Sequence, residues 1–388
     1  MRALLLVLDS LGCGAAPDAG EYGDEGANTL GHLFDRTPGL HLPGLFSLGL
    51  WKILSGDVFH ARSRHTLASW GRMRERSPGK DSTTGHWEMA GVHLEEPFRT
   101  FKQFPAELVA AIEREAGVSF LGNYPQSGTV ILEELGPQHL RTGQPILYTS
   151  TDSVLQIAVH EEVAPLKRLY QICQIARREA DAWRVGRVIA RPFAGKPGAF
   201  HRTSGRHDYA MVPPRTVLNA IAEAGLPVEG VGKIRDIFAG SGITRSLTTS
   251  SNVEGTLAID ELWDEDKDGL IFANLLDFDA LYGHRRDPAG YAGALVEFDR
   301  WLCGFLDRID EEDLVILTAD HGNDPTFRGT DHTREEVPLM VLHGRTSRPL
   351  GTRRTFADVA ATLAEFFELK GKWPVGRRFP VAPGRATR

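Results

Sequence analysis

The chain has 388 residues, which is longer than most single domains and predicts one large domain or two domains. Its net charge of -7 argues against binding to nucleic acid or an anionic membrane, although a local basic pocket for a small anion remains compatible with it. The three cysteines are scattered and have no C-x-x-C spacing, which argues against a disulfide framework or a thiolate zinc site. No apolar run approaches the ~20 residues that span a bilayer, so we expect a soluble, cytoplasmic protein.

The first predicted element is a buried strand. Residues 3–8 form the continuous apolar run that is typical of a parallel strand covered on both faces, and Asp9 follows it directly. Residues 15–65 are rich in Gly, Pro and Asp, which predicts loops and short helices laid over a sheet. After residues 68–74, the segment K-D-S-T-T-G-H beginning at Lys80 reads as a turn into a helix, where backbone N–H groups could face an anion.

The middle of the chain has the pattern of a separate α/β domain, which we predict over residues 95–212 as an insertion. Pro213 and Pro214 mark the return to the first domain, which would comprise residues 1–94 and 213–388. The predicted elements of the insertion are helices at 108–116 and 166–182 and strands at 146–149, 155–159 and 187–190.

The remainder of the chain alternates between strand and helix patterns. Such alternation predicts an α/β fold with a mainly parallel sheet covered by helices on both faces. The predicted strands are 228–231, 270–276, 314–319 and 338–342, and the predicted helices are 216–224, 253–263, 291–309 and 356–369.

Acidic residues follow three of the buried strands. Asp9 follows the first strand, Asp277 and Asp279 follow the strand at 270–276, and Asp320 follows the strand at 314–319. The carboxyl ends of parallel strands face the ligand crevice of an open sheet, so these acids are expected to converge although they are far apart in sequence.

Three histidines accompany these acids: His284, His321 and His332. Carboxylates and imidazoles without thiolates suit Zn, Mn or a related divalent ion, and the number of ligands is enough for two sites. Taken singly, an Asp after a strand is usually a helix cap or turn residue and a His is usually structural. Because all these residues follow strand ends together, a metal site is the better interpretation, and two metals would clamp a transferring phosphoryl group.

The hydroxyl residues after Lys80 are candidate nucleophiles. A hydroxyl held near two divalent cations can attack phosphorus, so Ser82, Thr83 or Thr84 could carry a covalent phosphate. The alternative is an ordinary helix N-cap, and composition does not choose between the two.

With these residues the chain resembles the bacterial phosphopentomutase family, which belongs to the alkaline phosphatase-like superfamily of two-metal enzymes. The resemblance covers nearly the whole chain. Its motifs are D-S-x-G-x-G at Asp9, K-D-S-T-T-G-H-W-E at Lys80, T-S-T-D-S-V-L-Q-I-A at Thr149, R-V-I-A-R-P-F at Arg187, G-K-I-R-D-I-F at Gly232, D-F-D-A-L-Y-G-H-R-R-D at Asp277, T-A-D-H-G-N-D-P-T at Thr318 and D-H-T-R-E at Asp331.

The resemblance implies an alkaline phosphatase-like core, an inserted cap domain and two divalent metal ions, most often manganese. One ion would be held by Asp279, His284 and His332, and the other by Asp9, Asp320 and His321 together with the nucleophile. The family carries K-D-T where this chain has Lys80, Asp81 and Ser82, so Ser82 matches the phosphorylated threonine. Related phosphoglycerate mutases carry a serine in N-S-E-V-G-H, which favours Ser82 over Thr83. Asp324 and Asp331 are then turn residues or supports of the ligands.

The inserted domain would hold the far end of a sugar phosphate. Arg191, Arg206 and Lys233 resemble the cations that grasp phosphate in the family, and guanidinium groups suit that task. Asp152, with Ser150 nearby, resembles the group that contacts the ribose hydroxyls. Taken singly, each of these cations is more often a solvated charge or half of an ion pair.

The implied activity is interconversion of ribose 1-phosphate and ribose 5-phosphate, and of the 2-deoxyribose pair, through phosphorylated Ser82 and a pentose bisphosphate. Lys80 and His86 would offset charge on the transferring oxygens. The family implies priming by a sugar bisphosphate such as glucose 1,6-bisphosphate. We expect a monomer or weak homo-oligomer whose partners are small pentose phosphates, without nucleic acid or membrane.

Two other functions fit parts of the pattern. The same scaffold could serve a metal-dependent phosphatase or phosphodiesterase, in which water accepts the phosphoryl group, because fold alone does not separate these activities. A metal-stabilised or nucleotide-binding protein is a further alternative, since Asp9 and the following glycines resemble the start of a dinucleotide fingerprint. That fingerprint lacks its third glycine, and the complete set of metal ligands favours an enzyme.

Overall fold

The computed structural model describes residues 1–54, 66–150, 153–371 and 373–380. The chain divides into two compact units. Met1–Glu96 with Pro213–Arg388 form the first, which we call the core unit, and Pro97–Val212 form the second, which we call the inserted unit. No helix in the described ranges combines the length and the apolar character needed to cross a membrane.

The described elements follow one another in chain order. The strands are β1 (Arg2–Leu8), β2 (Ser69–Met73), β3 (Leu121–Pro125), β4 (Ile146–Thr149), β5 (Val154–His160), β6 (Arg187–Ala194), β7 (His201–Arg202), β8 (His207–Ala210), β9 (Val228–Val231), β10 (Arg245–Leu247), β11 (Gly269–Leu275), β12 (Leu314–Thr318), β13 (Val337–Leu342) and β14 (Pro349–Arg353). The helices are α1 (Thr29–Arg36), α2 (Pro43–Ser47), α3 (Leu50–Ile53), α4 (Ser82–Met89), α5 (Ala106–Ala116), α6 (Gly128–Thr142), α7 (Leu166–Asp181), α8 (Val217–Glu223), α9 (Ile234–Ile237), α10 (Asn252–Asp264), α11 (Pro288–Leu306) and α12 (Asp358–Phe366). A 3₁₀ turn spans Ala19–Tyr22 and a π-helical turn spans Phe278–Gly283.

The core unit is built on an eight-stranded sheet in the order β10-β9-β11-β1-β12-β13-β2-β14. Neighbouring strands from β10 through β12 are parallel, whereas β13 runs antiparallel to both of its neighbours. Every residue of β1, β11 and β12 is buried, as their continuous apolar runs predict for strands covered on both faces. The α/β class with a mainly parallel sheet is therefore confirmed.

The register of the central strands places their carboxyl ends at one edge of the sheet. In β1, Val7 lies opposite Asn274 of β11 on one side and opposite Thr318 of β12 on the other. The backbone N–H of Asp9 donates to the carbonyl of Leu275 at 3.1 Å, which extends this pairing one residue beyond β1. The chain segments that follow these three strands therefore start side by side.

The stretch from residue 15 to residue 54 consists of loops, the 3₁₀ turn and α1 to α3, as its composition predicts. Residues 55–65 lie outside the described part of the chain. In α1, the Asn28 side chain caps the first turn by accepting a hydrogen bond from the N–H of Gly31.

The inserted unit has its own sheet in the order β3-β4-β5-β6-β7, with β8 paired to β6. Helices α5 and α7 bury apolar side chains such as Leu108 and Leu169 in the hydrophobic core of this unit. Helix α6 was not predicted from the sequence, because Pro137 lies inside it and a proline normally ends a helix. Its N-terminus is capped by Ser127, whose hydroxyl accepts a hydrogen bond from the N–H of Val130.

Candidate active site

The predicted acids meet at the carboxyl edge of the core sheet. Asp9 lies directly after β1, Asp320 lies two residues after β12, and Asp279 lies in the π-helical turn after β11. Two groups of side chains each bring their ligand atoms within 4.8 Å of one another: Asp9, Asp320 and His321, and Asp279, His321 and His332. His321 lies in both groups, and its ring stacks on that of His332 with ring centroids 4.0 Å apart.

The first group is completely buried. The Nε2 atom of His321 lies 3.5 Å from Oδ1 of Asp9 and 3.3 Å from Oδ2 of Asp320. The same two carboxylate oxygens accept no hydrogen bond from any described residue. Buried carboxylate oxygens are almost always hydrogen-bonded. The neighbours of these two oxygens are imidazole nitrogens, with Nε2 of His321 at 3.5 and 3.3 Å and Nδ1 of His86 at 3.2 Å from Asp320, and a bound cation would satisfy both oxygens.

The second group is centred on Asp279. Its Oδ2 atom lies 3.1 Å from Nε2 of His284, and its Oδ1 atom lies 3.5 Å from Nε2 of His332. The two histidine Nε2 atoms are 3.1 Å apart. The predicted set of Asp279, His284 and His332 thus lies together in the core unit.

Backbone carbonyls orient two of the histidines. Nδ1 of His284 donates to the carbonyl of Thr330 at 2.7 Å, and Nδ1 of His321 donates to the carbonyl of Gly322 at 3.1 Å. Because a carbonyl can only accept a hydrogen bond, the proton of each neutral ring lies on Nδ1. The lone pair on Nε2 then faces the carboxylates, which is the arrangement of a metal-binding histidine.

The charges at the site favour a bound cation. Burial, reinforced by the negative charges of Asp320 and Asp279, raises the pKa of Asp9 well above its usual value. Burial also opposes ionisation of Asp320, but the nearby His321 and His86 hold its pKa below the usual range. A hydrogen bond to Asp279 raises the pKa of His284 to about 9. Carboxylates that repel one another and raise the pKa of His284 form a site that a divalent cation fits.

Ser82 lies beside the first group of ligands. It is the first residue of α4, and its Oγ atom is 3.2 Å from Nε2 of His321. The capping role belongs instead to Asp81, whose carboxylate accepts hydrogen bonds from the N–H of Thr84 at 3.1 Å and from its hydroxyl at 2.6 Å. The Ser82 hydroxyl is therefore free of the ordinary capping function, which was the alternative interpretation of this motif.

Gly85 allows α4 to approach the backbone of Asp320. A Cβ atom at this position would lie 2.3 Å from the carbonyl oxygen of Asp320, which is backbone and cannot move aside alone. We expect Gly85→Ala to lower the free energy of unfolding by about 1–3 kcal/mol through overpacking, although alanine is the better helix former. Urea denaturation measures this loss. Gly304→Ala in α11 is the matched control, because nothing lies within 4 Å of its added Cβ, and this change should be neutral or stabilising.

The two predicted charge-offsetting residues occupy different environments. His86 is fully buried, and its Nδ1 atom lies 2.8 Å from the carbonyl of Ser82 and 3.2 Å from Oδ2 of Asp320. Lys80 is held by an ion pair of 2.9 Å with Asp24 and lies 3.6 Å from the carboxylate of Asp331. Asp331 is thus a partner of Lys80 in this structure.

Asp324 is a turn residue by its contacts. Its carboxylate accepts hydrogen bonds from the N–H groups of Asn28 and Thr326 and contacts Nδ1 of His32 at 2.5 Å. These bonds occupy the oxygens that a metal would need.

The predicted substrate residues are divided between the units. Nε of Arg191 donates to the side chain of Gln156 at 3.0 Å, and Arg206 forms a bidentate pair with Asp208 at 2.8 and 2.7 Å. Ser150 follows β4 in the same inserted unit, and Asp152 lies outside the described residues. Lys233 belongs to the core unit, where its charge acts on the carboxylate of Asp9.

Three polar residues at the site were not identified from the sequence: Ser10, Asn274 and Asn323. Each donates one hydrogen bond to one of the three site carboxylates. Of the three, Asn274 could have been noticed in the sequence, because it is a polar residue in the otherwise apolar strand β11.

Comparison with known proteins identifies the family of the chain. Residues 1–371 match the model of the metalloenzyme superfamily. The chain is 53% identical over 382 residues to a phosphopentomutase of Anaeromyxobacter dehalogenans, covering 97% of both proteins. It is 52% identical over 373 residues to a phosphopentomutase of Caldanaerobacter subterraneus, covering 95% of this chain and 94% of the relative.

A solved structure of the Pyrococcus horikoshii protein PH0037 has a similar fold, with a TM-score of 0.51, 16% sequence identity and coverage of 95% of this chain and 98% of that one. The family model covers most of the chain, and both phosphopentomutases are more than half identical to it over nearly their whole length. The chain therefore belongs to the phosphopentomutase family, isomerases that transfer a phosphoryl group, within the metalloenzyme superfamily.

Proposed function

We propose that the protein interconverts ribose 1-phosphate and ribose 5-phosphate, and the corresponding 2-deoxyribose phosphates, by way of a phosphorylated Ser82. The observation that carries this proposal is the position of the Ser82 hydroxyl, 3.2 Å from His321 and at the N-terminus of α4. The first N–H groups of a helix have no partner within the helix and favour a negative group, such as a phosphoryl group on Ser82.

Two divalent metal ions, most often manganese in this family, would complete the site. Asp279, His284 and His332 would hold one of them. Asp9, Asp320 and His321 would hold the other together with Ser82. The support is the ligand chemistry, carboxylates with imidazoles, and the two buried carboxylate oxygens that no described residue contacts by a hydrogen bond. Such ions supply positive charge that neutralises the oxygens of a transferring phosphoryl group.

The chain's own residues define the proposed reaction. Phosphorylated Ser82 donates its phosphoryl group to the free hydroxyl of a bound pentose monophosphate, so that the bond from phosphorus to Oγ breaks as a bond to the sugar oxygen forms. The proton of the sugar hydroxyl replaces the phosphoryl group on Oγ of Ser82, and the product is a pentose bisphosphate. After this molecule reorients, its other phosphoryl group returns to Ser82. Lys80 and His86 offset charge on the oxygens in transfer.

The serine must be phosphorylated before the first cycle. A sugar bisphosphate such as glucose 1,6-bisphosphate would supply that phosphoryl group and so act as an activator. A pentose bisphosphate that dissociates before completing the cycle would leave the serine unphosphorylated, and the activator would restore it.

The inserted unit is proposed to bind the end of the substrate that does not react. Ser150 and Asp152 would contact the sugar hydroxyls, and Arg191 and Arg206 would bind phosphate. Lys233, which belongs to the core unit, is proposed separately as a phosphate-binding cation. Burial and the positive charge of Arg206 lower the pKa of Arg191, so a phosphate would relieve an existing repulsion between guanidinium groups.

Arg191→Ala is expected to raise KM for the pentose phosphate about 10- to 100-fold with a smaller change in kcat, because it removes binding that the ground state and transition state share. Steady-state kinetics with ribose 5-phosphate measure both constants. Arg178→Ala is the matched control, since Arg178 lies in the same unit, is exposed and pairs with Glu115. An unchanged KM in Arg191→Ala would contradict the proposed phosphate contact.

The reaction itself is tested by its products. The protein is incubated with Mn²⁺, ribose 5-phosphate and a catalytic amount of glucose 1,6-bisphosphate, and the phosphorus species are followed by ³¹P NMR. The proposal predicts ribose 1-phosphate without net release of inorganic phosphate. Inorganic phosphate as the main product would instead indicate the phosphatase alternative, in which water accepts the phosphoryl group.

A further inference from the structure

One oxygen of each site carboxylate is occupied by a neutral N–H donor. Oδ2 of Asp9 accepts a hydrogen bond of 3.1 Å from the side chain of Asn274, and Oδ1 of Asp279 accepts one of 2.7 Å from the side chain of Asn323. Oδ1 of Asp320 likewise accepts a hydrogen bond of 3.1 Å, in this case from the backbone N–H of Ser10. The second oxygen of each carboxylate faces a histidine of the site, and in Asp279 the occupied oxygen, Oδ1, also lies 3.5 Å from Nε2 of His332.

Asn274 is an unfavourable residue for the fold alone. It lies in the fully buried strand β11, and its side-chain carbonyl oxygen has no hydrogen-bond partner among the described residues. An unsatisfied buried polar atom costs about 1–3 kcal/mol. The N–H donated to Asp9 is the one hydrogen bond found for this side chain in the described structure, so its position is explained by that carboxylate rather than by the stability of the sheet.

Asn323 makes hydrogen bonds both to the residue after Asp9 and to Asp279. Its backbone N–H donates to the carbonyl of Ser10 at 3.1 Å, next to Asp9. Its side chain packs against Gly283, where an added Cβ would lie 2.8 Å from the amide carbon and nitrogen. The side chain thus lies close to the backbone of Gly283 while it donates to Asp279.

We propose that Asn274 and Asn323 are positioning residues, one for each metal subsite. Each carboxamide occupies one oxygen of a ligand carboxylate and leaves the other oxygen facing the subsite. A neutral amide does this without adding a charge to a site that already holds three carboxylates. Residues that fix the orientation of a metal ligand typically change metal affinity about 10- to 100-fold when they are replaced. This inference rests on the proposed binding of two metal ions.

The test measures Mn²⁺ binding directly, by titration followed with the electron paramagnetic resonance signal of free Mn²⁺. Asn274→Leu and Asn323→Leu keep the shape of the side chain and remove the N–H donor. We expect Asn323→Leu to weaken one binding constant about 10- to 100-fold and leave the other within about twofold, and Asn274→Leu to do the reverse. Anomalous diffraction at limiting Mn²⁺ assigns the weakened subsite, which should be that of Asp279 in the first variant and that of Asp9 in the second.

Each variant is the control for the other, because a general loss of structure would weaken both subsites together. Thermal unfolding in the presence of a chelator provides the second readout, and both variants should unfold within about 2–4 °C of the unsubstituted protein, a change of about 1 kcal/mol. If a leucine variant does not fold, we expect the same loss of Mn²⁺ affinity at the same subsite in Asn274→Ala or Asn323→Ala.

Three results overturn the inference. The first is a pair of variants in which both binding constants stay within about twofold of the original. The second is an equal loss of Mn²⁺ affinity at both subsites together with a lower unfolding temperature in the presence of the chelator. This result would indicate a structural role. The third is that the unsubstituted protein binds fewer than two Mn²⁺ ions. This result would overturn the proposed binding of two metal ions as well, whereas the first two results would leave that proposal intact.

Discussion

Replacing Ser82 with alanine is expected to lower kcat by at least about 1,000-fold and to abolish formation of phosphorylated protein. The physical reason is that the Oγ atom, 3.2 Å from His321 at the start of α4, is the atom that accepts the phosphoryl group in the proposed reaction. Turnover of ribose 5-phosphate and intact-mass measurement after incubation with glucose 1,6-bisphosphate give the two readouts. Because Asp81 rather than Ser82 caps the helix, the fold should be retained, which thermal unfolding verifies.

Two further variants locate the nucleophile. Thr83→Ala should still be phosphorylated, because it leaves the Ser82 hydroxyl in place 3.2 Å from Nε2 of His321. In contrast to Ser82→Ala, Ser82→Thr should be phosphorylated at residue 82, because it keeps a hydroxyl at the same point of the helix. Phosphorylation that persists in Ser82→Ala would move the nucleophile to Thr83 or Thr84.

Removing divalent metal is expected to abolish turnover and to destabilise the core unit. Without a cation, Asp9 and Asp320 are buried with unsatisfied oxygens, and the repulsion between the carboxylates opposes ionisation of Asp9. An ion at 1,000 times its dissociation constant contributes about 4 kcal/mol of stability, which corresponds to roughly 10 °C in unfolding temperature. Calorimetric scans with Mn²⁺ and with a chelator measure this difference.

Asp320→Asn provides the matched variant for the metal experiment. It keeps the size of the side chain and removes the charge on the oxygen that faces His321. The difference in unfolding temperature between Mn²⁺ and chelator should shrink markedly in this variant. Asp299→Asn is the control outside the site, because Asp299 caps the N–H groups of Gly44 and Leu45, and it should retain the full metal-dependent difference. A chelator that leaves the unfolding temperature of the unsubstituted protein unchanged would contradict the account.

Much of the core could be predicted from sequence because its central strands are buried on both faces. The continuous apolar runs of β1, β11 and β12 identify them as strands, and the topology of parallel sheets brings their carboxyl ends to one edge. The meeting of Asp9, Asp279 and Asp320 follows from that rule alone. The same reasoning could not show that β13 is antiparallel to its neighbours, because direction in a sheet depends on tertiary connections.

The supports of the site could not be predicted, because they depend on three-dimensional contacts. Neither the orientation of His321 by the carbonyl of Gly322 nor the hydrogen bond from Asn323 to Asp279 has a sequence spacing of its own. Lys80 illustrates the same limit, since its pairing with Asp24 joins residues far apart in the chain. Helix α6 was missed for a local reason, the proline inside it.

We propose that two metal ions would bind, one held by Asp279, His284 and His332 and the other by Asp9, Asp320 and His321 together with Ser82. Anomalous diffraction from crystals grown with Mn²⁺, in phosphorylated and unphosphorylated protein, tests it most directly. The account predicts two manganese peaks, one among Asp279, His284 and His332 and one among Asp9, Asp320 and His321, with the side chain of Ser82 on the second. A single peak, or peaks away from these carboxylates, would contradict it.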